Sequence, residues 1–328
     1  MGGGGDRGRL LSMNPKLRRR ASEYGDTFNR QDAVECGYTV SQIRERLRDG
    51  RWISVRRGFY AELVDRAGSP PWERQAAEHR LAVHAAARAL AGSPVVISHQ
   101  SAAVLHGLPT WGLDLDRVHV TRTDRGHGRI LARTSHHVGE LPARAVTTTE
   151  GLPTTTIARS VVDASCSAGY EVAVALCDGA LQSGRVTKAQ LSEELGQMVG
   201  WPGTCTAQAA VAFADGRSES VGESRLRVLM DTHGLPEPEL QVQFSARDFV
   251  ARVDFYFRQF EVIVEFDGLI KYRDDAVDAV VREKHREDRL RSAGVLVVRV
   301  TWDDLNHPDR LIHRIRQAFA LSERRLSS

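Results

Sequence analysis

The stretch VIVEFDGLIKY, residues 262–272, places two carboxylates, Glu265 and Asp267, at the end of an apolar run, with Lys271 four residues further on. The run Val262–Val264 predicts a buried strand. Successive side chains of a strand point to opposite faces, so Glu265 and Asp267 share one face. A carboxylate at the end of a core strand costs free energy unless something pairs with it. Two readings follow: an edge that holds a cation, or an exit into a turn, for which Asp267-Gly268 is ordinary chemistry.

The flanking sequence favours the first reading. Asp254 interrupts VARVDFYF (250–257), a strand pattern in which aspartate is disfavoured. If the connection to the next strand has an even number of residues, such as Gln259-Phe260, Asp254 stands opposite Glu265. A slip of one residue sends it to the other face. Three carboxylates converging where a sheet ends form a hard-oxygen cage suited to Mg²⁺ or Mn²⁺. Such an ion polarises a phosphate and lowers the pKa of a bound water. Glu223, on the helix that opens this part of the chain, is an outlying carboxylate of the kind that completes the cage. Lys271 is placed to stabilise a phosphate or position a water. The residues Arg286, Glu287, Asp288, Arg289 and Arg291 sit on a later charged helix. A helix, a three-strand meander, a helix and a strand over 218–320 predict a mixed sheet flanked by helices.

The N-terminal part reads differently. Residues 1–60 carry 13 Lys/Arg against 7 Asp/Glu, although the whole chain of 328 residues has a net charge of only +3. A basic module most often meets a polyanion. Residues 1–23 are expected to be a flexible basic N-terminus. Over 24–66 the pattern is helix, turn, helix, hairpin. Asn29 caps the first helix and Thr39 the second, which ends at Gly50. Val40, Ile43 and Leu47 share the buried face of the second helix, leaving Ser41, Gln42, Arg44 and Arg48 outward. Two short strands surround the tip Arg56-Arg57-Gly58. That order predicts a winged helix-turn-helix, with duplex DNA as partner and Ser41, Gln42, Arg44, Arg48, Arg56 and Arg57 as contacts.

Residues 71–212 predict a mainly helical middle domain with a small sheet. Its histidines, His84, His99, His106, His119, His127, His136 and His137, fall on different elements without paired-ligand spacing, and are expected to be core or surface residues. The four cysteines lack CxxC spacing and are expected to be reduced, buried thiols in a cytoplasmic protein. No apolar run approaches the ~18 residues of a membrane span. The predicted fold class is therefore α+β or α/β multidomain, soluble, with oligomeric state open.

Two resemblances sharpen these expectations. GYTVSQIRERLRDGRWISVRRGFYA (37–61), with its G-x-W-x-x-V-x-R-G-x-Y hairpin, resembles the N-terminal winged-helix domain of AbiEi-type antitoxins. SHQSAAVLHGLP (98–109) and GLPTTTIARSVVDA (151–164) look like the segments that follow it in AbiEi-like actinobacterial proteins. That resemblance implies operator binding, autoregulation and a cognate toxin partner, the arrangement of a type IV toxin–antitoxin pair. Glu223, VDF (253–255), VEFDG (264–268) and REDRLRSAGVLVVRVTW (286–302) resemble very-short-patch-repair-like endonucleases of the PD-(D/E)XK superfamily. By that resemblance the C-terminal domain has a restriction-endonuclease-like fold, Asp254 and Glu265 are the principal metal ligands, and Glu223 assists. The sequence departs from the pattern at Asp267, where the superfamily's ExK motif has lysine, and at Lys271, where closer relatives carry histidine. The expected function is a DNA-binding regulator of the antitoxin type carrying a nuclease-fold domain. The alternative is an active Mg²⁺-dependent DNA endonuclease.

Overall fold

The computed structural model describes residues 13–64, 66, 68–124, 127–198, 200–246, 249–268, 290 and 294–326. It is a mixed α/β chain whose strands form sheets of three, six and four strands. Two compact units divide at Ala168 and Gly169. That boundary falls inside the segment 71–212 expected as one domain. Among the described residues, no helix is long and apolar enough to cross a membrane.

The first unit begins with α1 (Pro15–Ser22), β1 (Thr27–Asn29), α2 (Arg30–Glu35), α3 (Val40–Arg48), β2 (Trp52–Arg56) and β3 (Phe59–Glu62). Of the N-terminus expected to be flexible over 1–23, the described part from Met13 onward carries a capped helix instead. Asn14 caps α1 by accepting from the Leu17 amide at 2.8 Å, and Pro15 occupies the first turn, where no donor is needed. Leu17 and Ala21, four apart on one face, are then buried with Phe28, Ile43 and Trp52. Asn29 and Thr39 both form reciprocal capping boxes, with Asp32 and Gln42 respectively. The three strands align in the order β1-β3-β2, antiparallel throughout. Trp52 is sealed by edge-on contacts from Phe28 and Tyr38 at 4.7 and 4.9 Å, and the Arg46 guanidinium lies over both Trp52 and Tyr38.

The unit continues through α4 (Pro71–Ala89), β4 (Val95–Ile97), α5 (His99–Leu105), β5 (Val118–Arg122), β6 (Arg129–Leu131), β7 (Thr134–Val138), β8 (Val146–Thr149), β9 (Leu152–Thr155) and α6 (Ile157–Ser167). The sheet order is β6-β7-β5-β4-β9-β8, with parallel pairs β5/β7 and β4/β9. The small sheet expected in a mainly helical region is thus six-stranded. One face of β4 and β5 is covered by Val83, Ala86, Ala102 and Leu105. Helix α4 is tied back to the preceding elements: Arg88 donates to Asp32 Oδ2 at 2.7 Å and lies 3.9 Å over the Tyr24 ring.

The second unit holds α7 (Tyr170–Gln182), α8 (Lys188–Gly196), α9 (Thr204–Phe213), α10 (Val221–Thr232), β10 (Glu239–Ala246), β11 (Phe249–Phe257), β12 (Val262–Phe266), β13 (Leu296–Val300) and α11 (Pro308–Leu326). The meander β10-β11-β12 is antiparallel, and β13 joins β12 in parallel, giving the mixed sheet that the pattern predicts. Leu311, Ile312, Ile315 and Phe319 of α11 and Leu226 and Met230 of α10 bury against Phe255, Phe257, Val262 and Val264. Arg227 of α10 reaches Asp178 of α7 with two hydrogen bonds of 2.8 Å, both side chains being buried. The cysteines are unbridged, but only Cys177 is buried and Cys205 is exposed, which corrects the expectation of buried thiols.

Candidate functional sites

An acidic constellation forms where β10, β11 and β12 meet the start of α10. The β11/β12 register runs Phe255↔Val264, Tyr256↔Ile263, Phe257↔Val262. One step further sets Asp254 across from Glu265, and the connection Arg258–Glu261 has the even length that this requires. Asp254 Oδ2 accepts from the Phe266 amide at 2.8 Å, which ties its carboxylate to the strand end beside Glu265. Glu265 is buried.

Glu223 arrives from the first turn of α10. Its carboxylate accepts from the Glu219 amide at 2.9 Å and from Ser220 Oγ at 2.8 Å. Burial, reinforced by the Asp254 charge, raises the Glu223 carboxyl above its ordinary value, against the lowering by those hydrogen bonds. Gln241 of β10 joins the acids. Its amide nitrogen donates to Glu223 Oε2 at 2.8 Å and to Asp254 Oδ1 at 3.3 Å, while Arg252 donates to its Oε1 at 2.7 Å. Gln241 has φ 53°, in the left-handed region. Around it the in–out alternation of β11 breaks: Val253 packs with Tyr256 and Ile263, whereas Phe255 packs in the opposite cluster. No spacing rule signals Gln241; only the backbone twist aims it at the acids.

Asp267 stands apart. Its amide donates to Val300 O at 2.7 Å, and its carboxylate lies 3.9 Å from Arg299. It therefore continues the strand exit and is balanced by a neighbouring cation. Lys271, Arg286, Glu287, Asp288, Arg289 and Arg291 lie outside the described residues. Glu223, Asp254 and Glu265 supply hard oxygens of the type that suits Mg²⁺ or Mn²⁺, and the donor already shared by Glu223 and Asp254 marks a locus that favours positive charge. Among the described residues they are not a closed cage. Among the described residues, His99, His119 and His137 are the group that brings three candidate ligand atoms within 4.8 Å of one another.

Gly222 governs how closely α10 approaches β12. A Cβ built there would fall inside the Phe266 ring. Gly222→Ala should therefore cost about 1–3 kcal/mol by overpacking, less the ~1 kcal/mol that alanine returns to a helix. Urea unfolding of the two proteins measures it, and a stabilised variant would contradict the close approach.

A second surface belongs to the N-terminal elements. Ser41, Gln42, Arg44 and Arg48 are exposed on α3, opposite buried Ile43. Gln42 Oε1 accepts from the Thr39 amide at 2.9 Å, so its first duty is the cap. Arg44 is exposed, and Arg48 lies 3.4 Å from Asp49. At the hairpin, Arg57 is exposed beside Gly58, whose φ of 83° allows the tight turn. Arg56 differs from expectation: it lines a cleft with Gln75, Glu78, Asp114 and Asp116, and burial lowers its pKa.

No family model matches the chain. It is similar to two proteins of Mycobacterium tuberculosis, both described as uncharacterized: MT2308 of strain CDC 1551 / Oshkosh and Rv2248 of strain ATCC 25618 / H37Rv. Each is 33% identical over 145 residues, which cover 44% of this chain and 53% of the relative. The aligned part thus spans about half the length of these curated relatives.

The remaining histidines divide by role. His84 meets Glu150 Oε2 at 2.7 Å, and His106 Nε2 donates to the Thr155 carbonyl at 2.8 Å. Both are satisfied core residues, as expected. His99, His119 and His137 are not dispersed, as their positions on separate elements suggested. The parallel β5/β7 pair and the start of α5 bring them together.

Proposed function

We propose that the chain binds duplex DNA through residues 13–62, as a winged helix-turn-helix, and acts as a transcriptional regulator of the antitoxin type. The observation that carries this reading is the order α1-β1-α2-α3-β2-β3, whose second helix of the α2-α3 pair turns Ser41, Arg44 and Arg48 to solvent beside the Arg57 hairpin tip. An exposed helix of this kind fits the major groove, and an arginine at the hairpin tip meets phosphate. The resemblance of residues 37–61 to AbiEi-type antitoxins favours an operator as the ligand and a toxin as protein partner.

The test is DNA affinity as a function of salt, using mixed-sequence and upstream-region duplexes. Arg44→Ala and Arg57→Ala should each weaken binding several-fold and lower the slope of log K against log[salt] by about one unit. Arg56→Ala, placed in the cleft, should leave the slope unchanged. Equal slopes for all four proteins would remove α3 and the hairpin from the interface.

The acidic constellation favours a second activity, metal-dependent hydrolysis of a phosphodiester by a nuclease-fold domain over 218–320. Asp254 and Glu265 would hold the ion with Glu223 alongside. When bound, Mg²⁺ or Mn²⁺ would polarise the phosphate and acidify a water. The chain's own part is to hold Asp254 rigid through the Phe266 amide, and to keep Glu223 pressed against the sheet by the close fit of Gly222.

A further inference from the structure

We propose that His99, His119 and His137 form a three-imidazole site for a borderline divalent transition ion, with Zn²⁺ the natural occupant and a fourth coordination position left open. The inference is independent of both readings above, since it uses none of their residues.

The geometry is built by three elements of the first unit. In the parallel β5/β7 pair, His119 lies opposite Ser135 and Thr121 opposite His137. The two histidines are therefore offset by two residues and share one face of the sheet. Their rings stack at 5.0 Å, with His119 Nδ1 and His137 Nε2 only 2.8 Å apart. His99 completes the group from the first position of α5, its ring lying parallel to that of His137 at 3.7 Å. Its φ is 53°, in the left-handed region that few non-glycine residues occupy, histidine being among the more tolerant of it. The ring is oriented from behind, its Nδ1 3.0 Å from Ser98 Oγ and 3.9 Å from Asp163 Oδ2. Arg159 in turn donates to Asp163 Oδ1 at 2.9 Å. A partner on the second ring nitrogen is what a metal-ligating histidine uses to fix its ring; here the Ser98 hydroxyl is within hydrogen-bond reach, and the Asp163 carboxylate lies beyond it at ion-pair range.

Two features select the ligand class. All three candidate atoms are imidazole nitrogens, which suit Zn²⁺ and its first-row neighbours and suit Mg²⁺ poorly. Two nitrogens on one tetrahedral Zn²⁺ stand about 3.3 Å apart, so the His119–His137 pair needs to open by only about half an ångström. Three histidines with an open fourth position is the ligand set of catalytic zinc sites rather than of closed structural ones.

The experiment is Zn²⁺ titration of the chelator-treated full-length protein by calorimetry, in excess Mg²⁺ so that carboxylate sites do not compete for the read-out. One ion per chain with sub-micromolar affinity is expected. His119→Gln and His137→Gln should each weaken it by more than about tenfold, the lower end of what losing even an outer-shell partner of a ligand costs, with far-UV circular dichroism unchanged. His313→Gln, on the exposed face of α11, should bind as the wild type does. Unchanged affinity in both cluster variants, or equal loss in His313→Gln, would overturn the assignment. If either cluster variant fails to fold, the Co²⁺-loaded wild type decides. Intense tetrahedral d–d bands support the site, and weak octahedral bands or no binding reject it.

Discussion

Supercoiled plasmid incubated with the purified protein and Mg²⁺ or Mn²⁺ is expected to be nicked or linearised, and Asp254→Ala should reduce the rate by about 10³-fold or more. The size follows from what a catalytic cation supplies. Several kcal/mol of charge stabilisation pass through its ligands, and each 1.36 kcal/mol is tenfold in rate. Asp254 is the informative position because its two oxygens have separate partners. Oδ2 is fixed by the Phe266 amide, and Oδ1 faces the Gln241 amide. Asp254→Asn preserves the shape of the side chain while removing the negative charge that would hold the cation, so it should lose most of the rate with little loss of stability. Intact plasmid with the wild type and with both variants, over a range of duplex and single-stranded substrates, would leave the acidic site non-catalytic.

The second large effect concerns stability. Arg227→Ala should cost about 3–5 kcal/mol in urea unfolding, because it leaves the Asp178 carboxylate buried without its main cation. Asp178 is fully buried, Arg227 donates to both of its oxygens, and the Asp215 amide donates to Oδ1 at 2.8 Å. Arg227 also donates to the Phe213 carbonyl at 2.8 Å and covers the Phe213 ring at 4.2 Å. Burial outweighs the Arg227 charge and holds the Asp178 carboxyl above its ordinary value. Its folded value thus exceeds the unfolded one, so its contribution to stability is full at acid pH and is lost as pH rises through the folded value. The double replacement Asp178→Leu with Arg227→Met should recover most of the loss, since two apolar groups of similar volume need no partner. A single-variant cost below about 1 kcal/mol would mean that water reaches the pair.

Much of the second unit was readable because strands impose a period of two. Asp254 and Glu265 were expected across from each other on condition of an even-length connection, which the register meets, and the mixed sheet followed from the order of its elements. Gln241 was not readable, because its role depends on a left-handed backbone angle that no composition signals. The histidine trio was missed for a related reason. Its members are separated by 18 to 38 positions, and they meet through a parallel strand pair whose register the sequence does not state. Arg56 and Arg57 look equivalent on paper, yet the bulge between Ser54 and Arg56 turns the hairpin so that only Arg57 is fully exposed. The helix over Pro15–Ser22 was hidden by the glycine-rich run before it, although Asn14-Pro15 is a sound starting signal.

The Arg88–Asp32 clamp bears on how the first unit behaves when heated. Asp32 belongs to the reciprocal cap of α2, so the guanidinium from α4 grips the carboxylate that starts that helix. Fraying of α2 would release Arg88 from Asp32 and from the Tyr24 ring, and loosening of α4 would strip Asp32 of its nearest charge. Neither neighbour can melt without undoing the other's anchor. Residues 13–62 and the sheet that follows should therefore share a single calorimetric transition.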